Sequence, residues 1–231
     1  MTVLGVVQAR MSSTRLPGKV LKPLLGMPMI LRQLERLSQC REVQRWVVAT
    51  SEEPTDDALV DILHAAEVCV FRGPLADVLS RFYQVSVHYP CQHIVRVTAD
   101  CPLIDAALVD QVVALQVQCQ NDYTSNVTPP TFPDGLDVEV LSRATLQHIW
   151  AVAKSPPERE HVTLYIRQHL AAFTIGCVRS PEDRSAMRWT VDEAADFTFV
   201  QSVYERLYPH NPVFTTADIL HLLAPETVKD R

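Results

Sequence analysis

Continuously apolar, β-branched runs alternate along this chain with segments whose apolar residues recur every three or four positions, and the connections between them are short. The apolar runs are "TVLGVVQ", "RWVVATS", "EVCVF" and "HIVRVTAD". Between them, Met27, Ile30, Leu31, Leu34 and Leu37 fall at helical spacing, as do Leu59, Ile62, Leu63 and Ala66. "ADVLSRFYQVSVH" is also helical, and Leu108, Val109, Val112 and Val113 line a further helix. A strand without a polar face needs cover on both sides, and helical crossovers between parallel strands supply it. The alternation predicts a doubly wound, mostly parallel α/β sheet.

The rhythm changes near residue 121. "NDYTSNVTPPTFPDGLDVEVLS" holds three prolines, one glycine and two short β-like pieces, "YTSNV" and "LDVEVL". It reads as strands joined by an excursion over the sheet's edge, the start of an inserted β/helical arm covering about 121–170. A helix is expected over 142–153, and "KSPPERE" opens another that bears His161 and Tyr165. "AFTIGCV" and "MRWTV" read as strands, "DEAADFTFVQSVYERL" as an amphipathic helix, and Thr216 as the cap of a last short helix. With no repeat, low-complexity tract or linker, residues 1–231 read as one domain.

Ligands of such sheets bind outside the carboxyl ends of the strands, so the loops after the first and fourth strands carry the functional question. The first is "VVQARMSSTRLPGKVLKP". Arg10, Arg15, Lys19, Lys22 and Arg32 all precede the first carboxylate, Glu35, in a chain whose net charge is −6. An acidic protein that gathers positive charge on one loop points to a small, highly charged anion rather than a nucleic-acid polymer. Gly18 and the Ser12–Ser13–Thr14 run permit close backbone approach, while Arg10 and Arg15 can grip phosphate oxygens in bidentate fashion. Gly18–Lys19 is followed by Val20, so this is not a Walker A loop, and no G-x-G-x-x-G occurs.

The second loop is "RVTADCPLID", where Asp100 lands just past an apolar strand and Asp105 is better placed to cap the following helix. A carboxylate beside a phosphate loop makes sense when a hard cation lies between them, and Mg²⁺ takes one or two carboxylates plus substrate phosphates. "RWTVDEAADF" places Asp192 after another apolar run, with helix capping as its simpler reading and Asp196 exposed on the first turn. The six cysteines form no C-x-x-C pair, and His88, Cys91 and His93 read as a helix end running into a strand rather than a zinc site. No apolar run approaches the roughly 20 residues that span a bilayer. Arg10 closes the first apolar stretch at once, so no secretory leader or membrane association is expected and the cytoplasm is the default.

Taken together, "QARMSSTRLPGKVL", "TADCPLID" and "VDEAADF" resemble the sugar cytidylyltransferases of glycosyltransferase-A-like fold. The resemblance extends over nearly the whole chain and is nearest to the spore-coat polysaccharide biosynthesis protein F branch, related to the Kdo and acylneuraminate enzymes. It implies transfer of CMP from CTP to an acidic keto sugar, with loss of pyrophosphate, for surface polysaccharide synthesis. Gln8 and Ala9 would then lie by the base, and Arg10, Arg15 and Lys19 on the triphosphate. Asp100 and Asp192 would bind Mg²⁺, Arg72, Gly73 and Asp77 would fall near the nucleoside, and His161 and Tyr165 at the acid-sugar pocket. Arg15, Lys19, Asp100 and Asp192 are the expected catalytic set, and a homodimer touching through the arm is implied. Glu193 and Ala194 depart from the D-T-P-x-D form of the late motif. Two other readings share these features: a glycosyltransferase, disfavoured because Asp100–Cys101–Pro102 is no D-x-D, and a non-catalytic nucleotide-binding protein.

Overall fold

The computed structural model describes residues 2–224. Its main sheet draws on β1 (Val3–Gln8), β4 (Arg45–Ser51), β5 (Cys69–Gly73), β6 (His93–Thr98), β7 (Tyr123–Ser125), β8 (Glu139–Ser142) and β9 (Ile175–Cys177). They lie in the order β5-β4-β1-β6-β8-β7-β9. The first four are parallel, β8 runs antiparallel to both β6 and β7, and β9 is parallel to β7. Two-residue strands β2 (Pro23–Leu24) and β3 (Met27–Pro28) form a separate hairpin after the basic loop. The sheet is the doubly wound, mostly parallel one that the alternation implies.

Side-chain alternation along β1 explains the layering. Val3 and Val7 join one buried cluster, Leu4 and Val6 the other. The first cluster is closed by α1 (Met29–Leu37), α2 (Asp57–Ala65), α4 (Ala106–Cys119), α8 (Ala194–Leu207) and α9 (Thr216–Leu223). The second is closed by α3 (Val78–His88), α5 (Arg143–Val152) and α7 (Leu164–Gln168), with the short α6 (Pro156–Glu160) beside α3. Each fully buried Leu, Val or Phe contributes about 1.5–3 kcal/mol relative to an exposed one. Among the described residues no helix is long and apolar enough to cross a membrane. Residues 121–170, read from sequence as an arm, supply β7 and β8 to the main sheet and α5–α7 to its second face.

Four local expectations change. The helix opened by "KSPPERE" ends at Glu160 with His161 as its C-cap, and Tyr165 lies on the separate helix α7. "MRWTV" is not a strand: one bridge joins Arg188 to Asp134, and the segment is otherwise extended chain pinned by Trp189 N–H and Thr190 N–H on the Asp134 carbonyl. Thr215, not Thr216, caps α9, in a capping box with Asp218. The Thr216 amide and hydroxyl instead donate to Asp105, which also caps α4 through Ala107 N–H. Met27 lies in β3 rather than in the helix that follows it. His88 ends α3, Cys91 is buried, and His93 opens β6.

Candidate active site

The chain leaves β1 at Gln8 and enters the basic loop through Ala9, whose amide donates to the Ala49 carbonyl. The fully buried Asp56 then fixes the loop's start by accepting from Met11 N–H, Thr50 Oγ1, Ser51 N–H and Ser51 Oγ. Burial works against its charge, but these donors hold its carboxyl below the ordinary range. At Gly18 the backbone turns left-handed, with φ 66°, a conformation that costs a residue bearing a Cβ about 1–2 kcal/mol. This turn starts the short helix over Lys19–Leu21 and drives the Lys19 side chain inward.

Lys19 is the centre of the arrangement. Its Nζ donates to Asp100 Oδ2 at 3.0 Å, to Asp192 Oδ1 at 3.1 Å and to the Val191 carbonyl at 2.7 Å. Asp100 and Asp192 are brought together by backbone as well, because Val191 N–H donates to the Asp100 carbonyl. The extended 187–191 segment is backed by Gly135, where φ is 109° and an added Cβ would stand 2.5 Å from the Thr190 nitrogen. Asp192 Oδ2 also meets Arg15 Nη2 and Arg188 Nη2, each at 2.9 Å. Burial opposes the Asp100 charge, yet the Lys19 ammonium holds its carboxyl below the usual value.

A cavity of about 260 Å³ opens over this cluster. Of the residues expected from sequence, Gln8, Ala9, Arg10, Arg15, Lys19, Asp100 and Asp192 line it together. Ser12, Ser13, Thr14 and Thr98 add hydroxyl groups. A larger cavity of about 660 Å³ beside α1 and α4 is lined by Glu35, Glu42, Asp105 and Asp110 as well as Arg36 and Arg41, an acidic balance ill-suited to a triphosphate.

The other expected residues stand apart from these walls. Arg72 is committed to the Ser51 and Glu53 carbonyls and to Asp57. Gly73 ends β5 against the Arg81 side chain. Asp77 caps α3 through Ser80 N–H and pairs with Arg159 at 2.5 Å. His161 is exposed at the end of α6, and Tyr165, half-buried on α7, stacks on His169 at 4.2 Å between centroids.

Asp56, Arg81 and Arg188 went unread in the sequence, and Asp196 was read only as an exposed first-turn residue. Arg81, 1% exposed, lines the cavity and donates to the Ala49, Pro74 and Leu75 carbonyls. Its position on the apolar stripe of Val78, Phe82 and Val85 was the available signal. Arg188 carried none, lying in a run that reads as a strand. Asp196, expected as merely exposed, accepts from Asp192 N–H and Glu193 N–H and pairs with Arg188. Glu193 therefore caps α8, and Asp192 is free to face Lys19.

A cytidylyltransferase family model matches residues 4–200. The chain belongs to the cytidylyltransferase family. This cytidylyltransferase is 33% identical over 228 residues to the spore coat polysaccharide biosynthesis protein SpsF of Bacillus subtilis, covering 96% of this chain and 93% of that one. It is 36% identical over 116 residues to a 3-deoxy-manno-octulosonate cytidylyltransferase of Syntrophotalea carbinolica, a match spanning 49% of this chain and 45% of the relative. Among solved structures, a cytidylyltransferase from Leptospira borgpetersenii superposes with a TM-score of 0.92 at 32% identity, over 96% of this chain and 93% of that one.

Proposed function

We propose that this cytidylyltransferase transfers CMP from CTP to a hydroxyl of an acidic keto sugar, with Mg²⁺ as cofactor, and releases pyrophosphate. The observation that carries the reading is the single Lys19 ammonium joined to both Asp100 and Asp192 beneath a cationic loop. A cation already rests between the two carboxylates, so the pair suits a hard divalent ion. Two carboxylates are what Mg²⁺ commonly takes from protein when phosphates and water complete its shell. Asp100 and Asp192 would hold it. Bound there with nucleotide, Mg²⁺ supplies Lewis-acid polarisation of phosphate oxygens.

The chain's own residues then divide the work. Arg10, Arg15 and the Ser12–Thr14 hydroxyls grip the triphosphate, and Lys19 turns from the aspartates to the departing pyrophosphate. Gln8 and Ala9 take the base, with Arg72, Gly73 and Asp77 bracing the nucleoside side. The sugar oxygen bonds to the α-phosphorus as the bond to the bridging oxygen of pyrophosphate breaks, and the hydroxyl proton passes to solvent. Such transfers depend on positioning and charge stabilisation more than on covalent help. His161 and Tyr165 receive the acceptor's carboxylate. The same reading places the enzyme in the cytoplasm as a homodimer joined through 121–170, which sedimentation of the purified chain tests.

Pyrophosphate release, screened with CTP and other nucleoside triphosphates against a panel of keto-sugar acids, tests the reaction. Release with CTP and an acid sugar, dependent on Mg²⁺, is expected. CTP binding without release from any pair, or consumption of a nucleotide sugar instead, overturns the proposal.

A further inference from the structure

A buried polar chain crosses four adjacent strands on the α3 face of the sheet and ends at the cavity. It begins at Tyr123 on β7, which is fully buried and donates its hydroxyl to Glu139 Oε1 at 2.6 Å. Glu139 on β8, 4% exposed, takes the Arg96 guanidinium on its other oxygen, and the two residues are register partners between β8 and β6. Arg96 Nη2 then donates to Gln8 Oε1 at 3.1 Å, on β1.

Every direction in this chain is forced. Burial and the Glu139 charge push the Tyr123 hydroxyl well above its ordinary value, so it remains a donor. Burial disfavours the Glu139 carboxylate, but Arg96, Tyr123 and Thr163 hold it ionised, as an acceptor. An arginine has no acceptor atom, so the atom that Gln8 turns toward Arg96 is its carbonyl oxygen. The Gln8 amide is thereby oriented. Its NH₂ group, which has no acceptor among the described residues, is left for the cavity that Gln8 lines.

We propose that Arg96, held by Glu139 and Tyr123, is a positioning residue that aims the Gln8 NH₂ group at ring position 3 of the pyrimidine, and so selects CTP over UTP. The inference rests on the nucleotide reading of the cavity given above. Cytosine presents a lone pair at that position, which accepts from Gln8; uracil presents an N–H, which meets the NH₂ donor to donor. Arg96 touches neither substrate nor reacting atoms. Its part is to deny Gln8 the flipped amide that would accept from uracil.

The test measures equilibrium binding of CTP and UTP, with Mg²⁺, to the wild-type chain and three variants. Gln8→Glu keeps an oxygen on Arg96 but turns a second acceptor toward the ring. Its CTP-to-UTP affinity ratio should fall by about 10- to 100-fold, the usual effect of mismatching one buried hydrogen bond. Arg96→Met, with Gln8 free to flip, should lose most of the ratio while keeping kcat at saturating CTP, and Arg96→Lys, which restores a donor, should recover part of it. Far-UV circular dichroism and melting identify a variant that fails to fold, and Gln8→Glu decides the matter if Arg96→Met is one. A folded Gln8→Glu protein with the wild-type ratio overturns the inference, as does a wild-type chain that binds the two nucleotides equally. A chain that selects CTP through Gln8 yet releases no pyrophosphate with any sugar overturns the enzymatic reading alone and leaves the inference standing.

Discussion

Two charged clusters flank the end of β1, built from the same residue types and put to opposite use. Around Lys19, one carboxylate, Asp192, is shared among Lys19, Arg15 and Arg188, and the two arginine side chains are about half exposed. Around Arg96, Nη1 holds Glu139, Nη2 holds Gln8, and Tyr123 closes on Glu139, whose side chain is 5% exposed. The first cluster opens on the cavity and its arginines reach solvent, so its internal pairs can be exchanged for phosphate and metal. The second is dry, with Glu139 satisfied on both oxygens although Arg96 Nε is buried without an acceptor among the described residues. It is rigid because breaking any of its links strands a further buried polar group. Charge alone therefore does not mark a reactive site; exchangeable pairs next to solvent do.

The comparison breaks most visibly at Asp100. Asp100→Asn should lower the rate of pyrophosphate release by at least about 100-fold, the scale of losing one preorganised electrostatic group, with the melting profile retained. Loss of folding instead would mean that the Lys19 cluster is structural, like the one around Arg96. Lys19→Ala should weaken CTP binding by about 10- to 100-fold in titration calorimetry, with a smaller effect on sugar affinity. Equal losses for both substrates would take Lys19 off the triphosphate.

At the buried cluster the expected loss is stability rather than rate. Tyr123→Phe deletes one donor to Glu139 and should cost about 1–2 kcal/mol in denaturant unfolding, with turnover little changed. The smallest effect concerns Asp137, between the two clusters. Packed surroundings and the Asp134 and Glu139 charges push its carboxyl from 3.8 up to about 7. A raised value means that the folded chain takes up a proton here. The stability this confers is complete below pH 3.8 and is lost as pH rises through about 7. Asp137→Asn cannot titrate, so its melting temperature should gain on the wild type progressively across that window and level off above it. A constant offset at every pH would show that Asp137 does not titrate differently on folding.

How much of this was legible can be read residue by residue. β1, β4, β5 and β6 announce themselves because a parallel strand buried on both faces must be apolar throughout. The basic loop was legible because its charge departs from the rest of the chain, and Asp105 because capping is local chemistry. "MRWTV" misled because an extended segment packed in the core carries the same apolar pattern as a strand, whether or not a ladder forms beside it. Asp56 gave no warning, since the Met11 amide it fixes stands 45 positions away and only the fold brings it near.

Composition and periodicity by themselves settled the layered sheet, the loop that collects cations, and the strand end from which Asp100 emerges, because each depends on neighbours a few residues away. Which carboxylates meet across one ammonium, and which way the Gln8 amide faces, were settled only by tertiary structure. Lys19 finds Asp192 173 positions along the chain, and Arg96 reaches Gln8 across 88. No local pattern encodes such pairings; they follow from strand order and register, which the packed sheet alone decides.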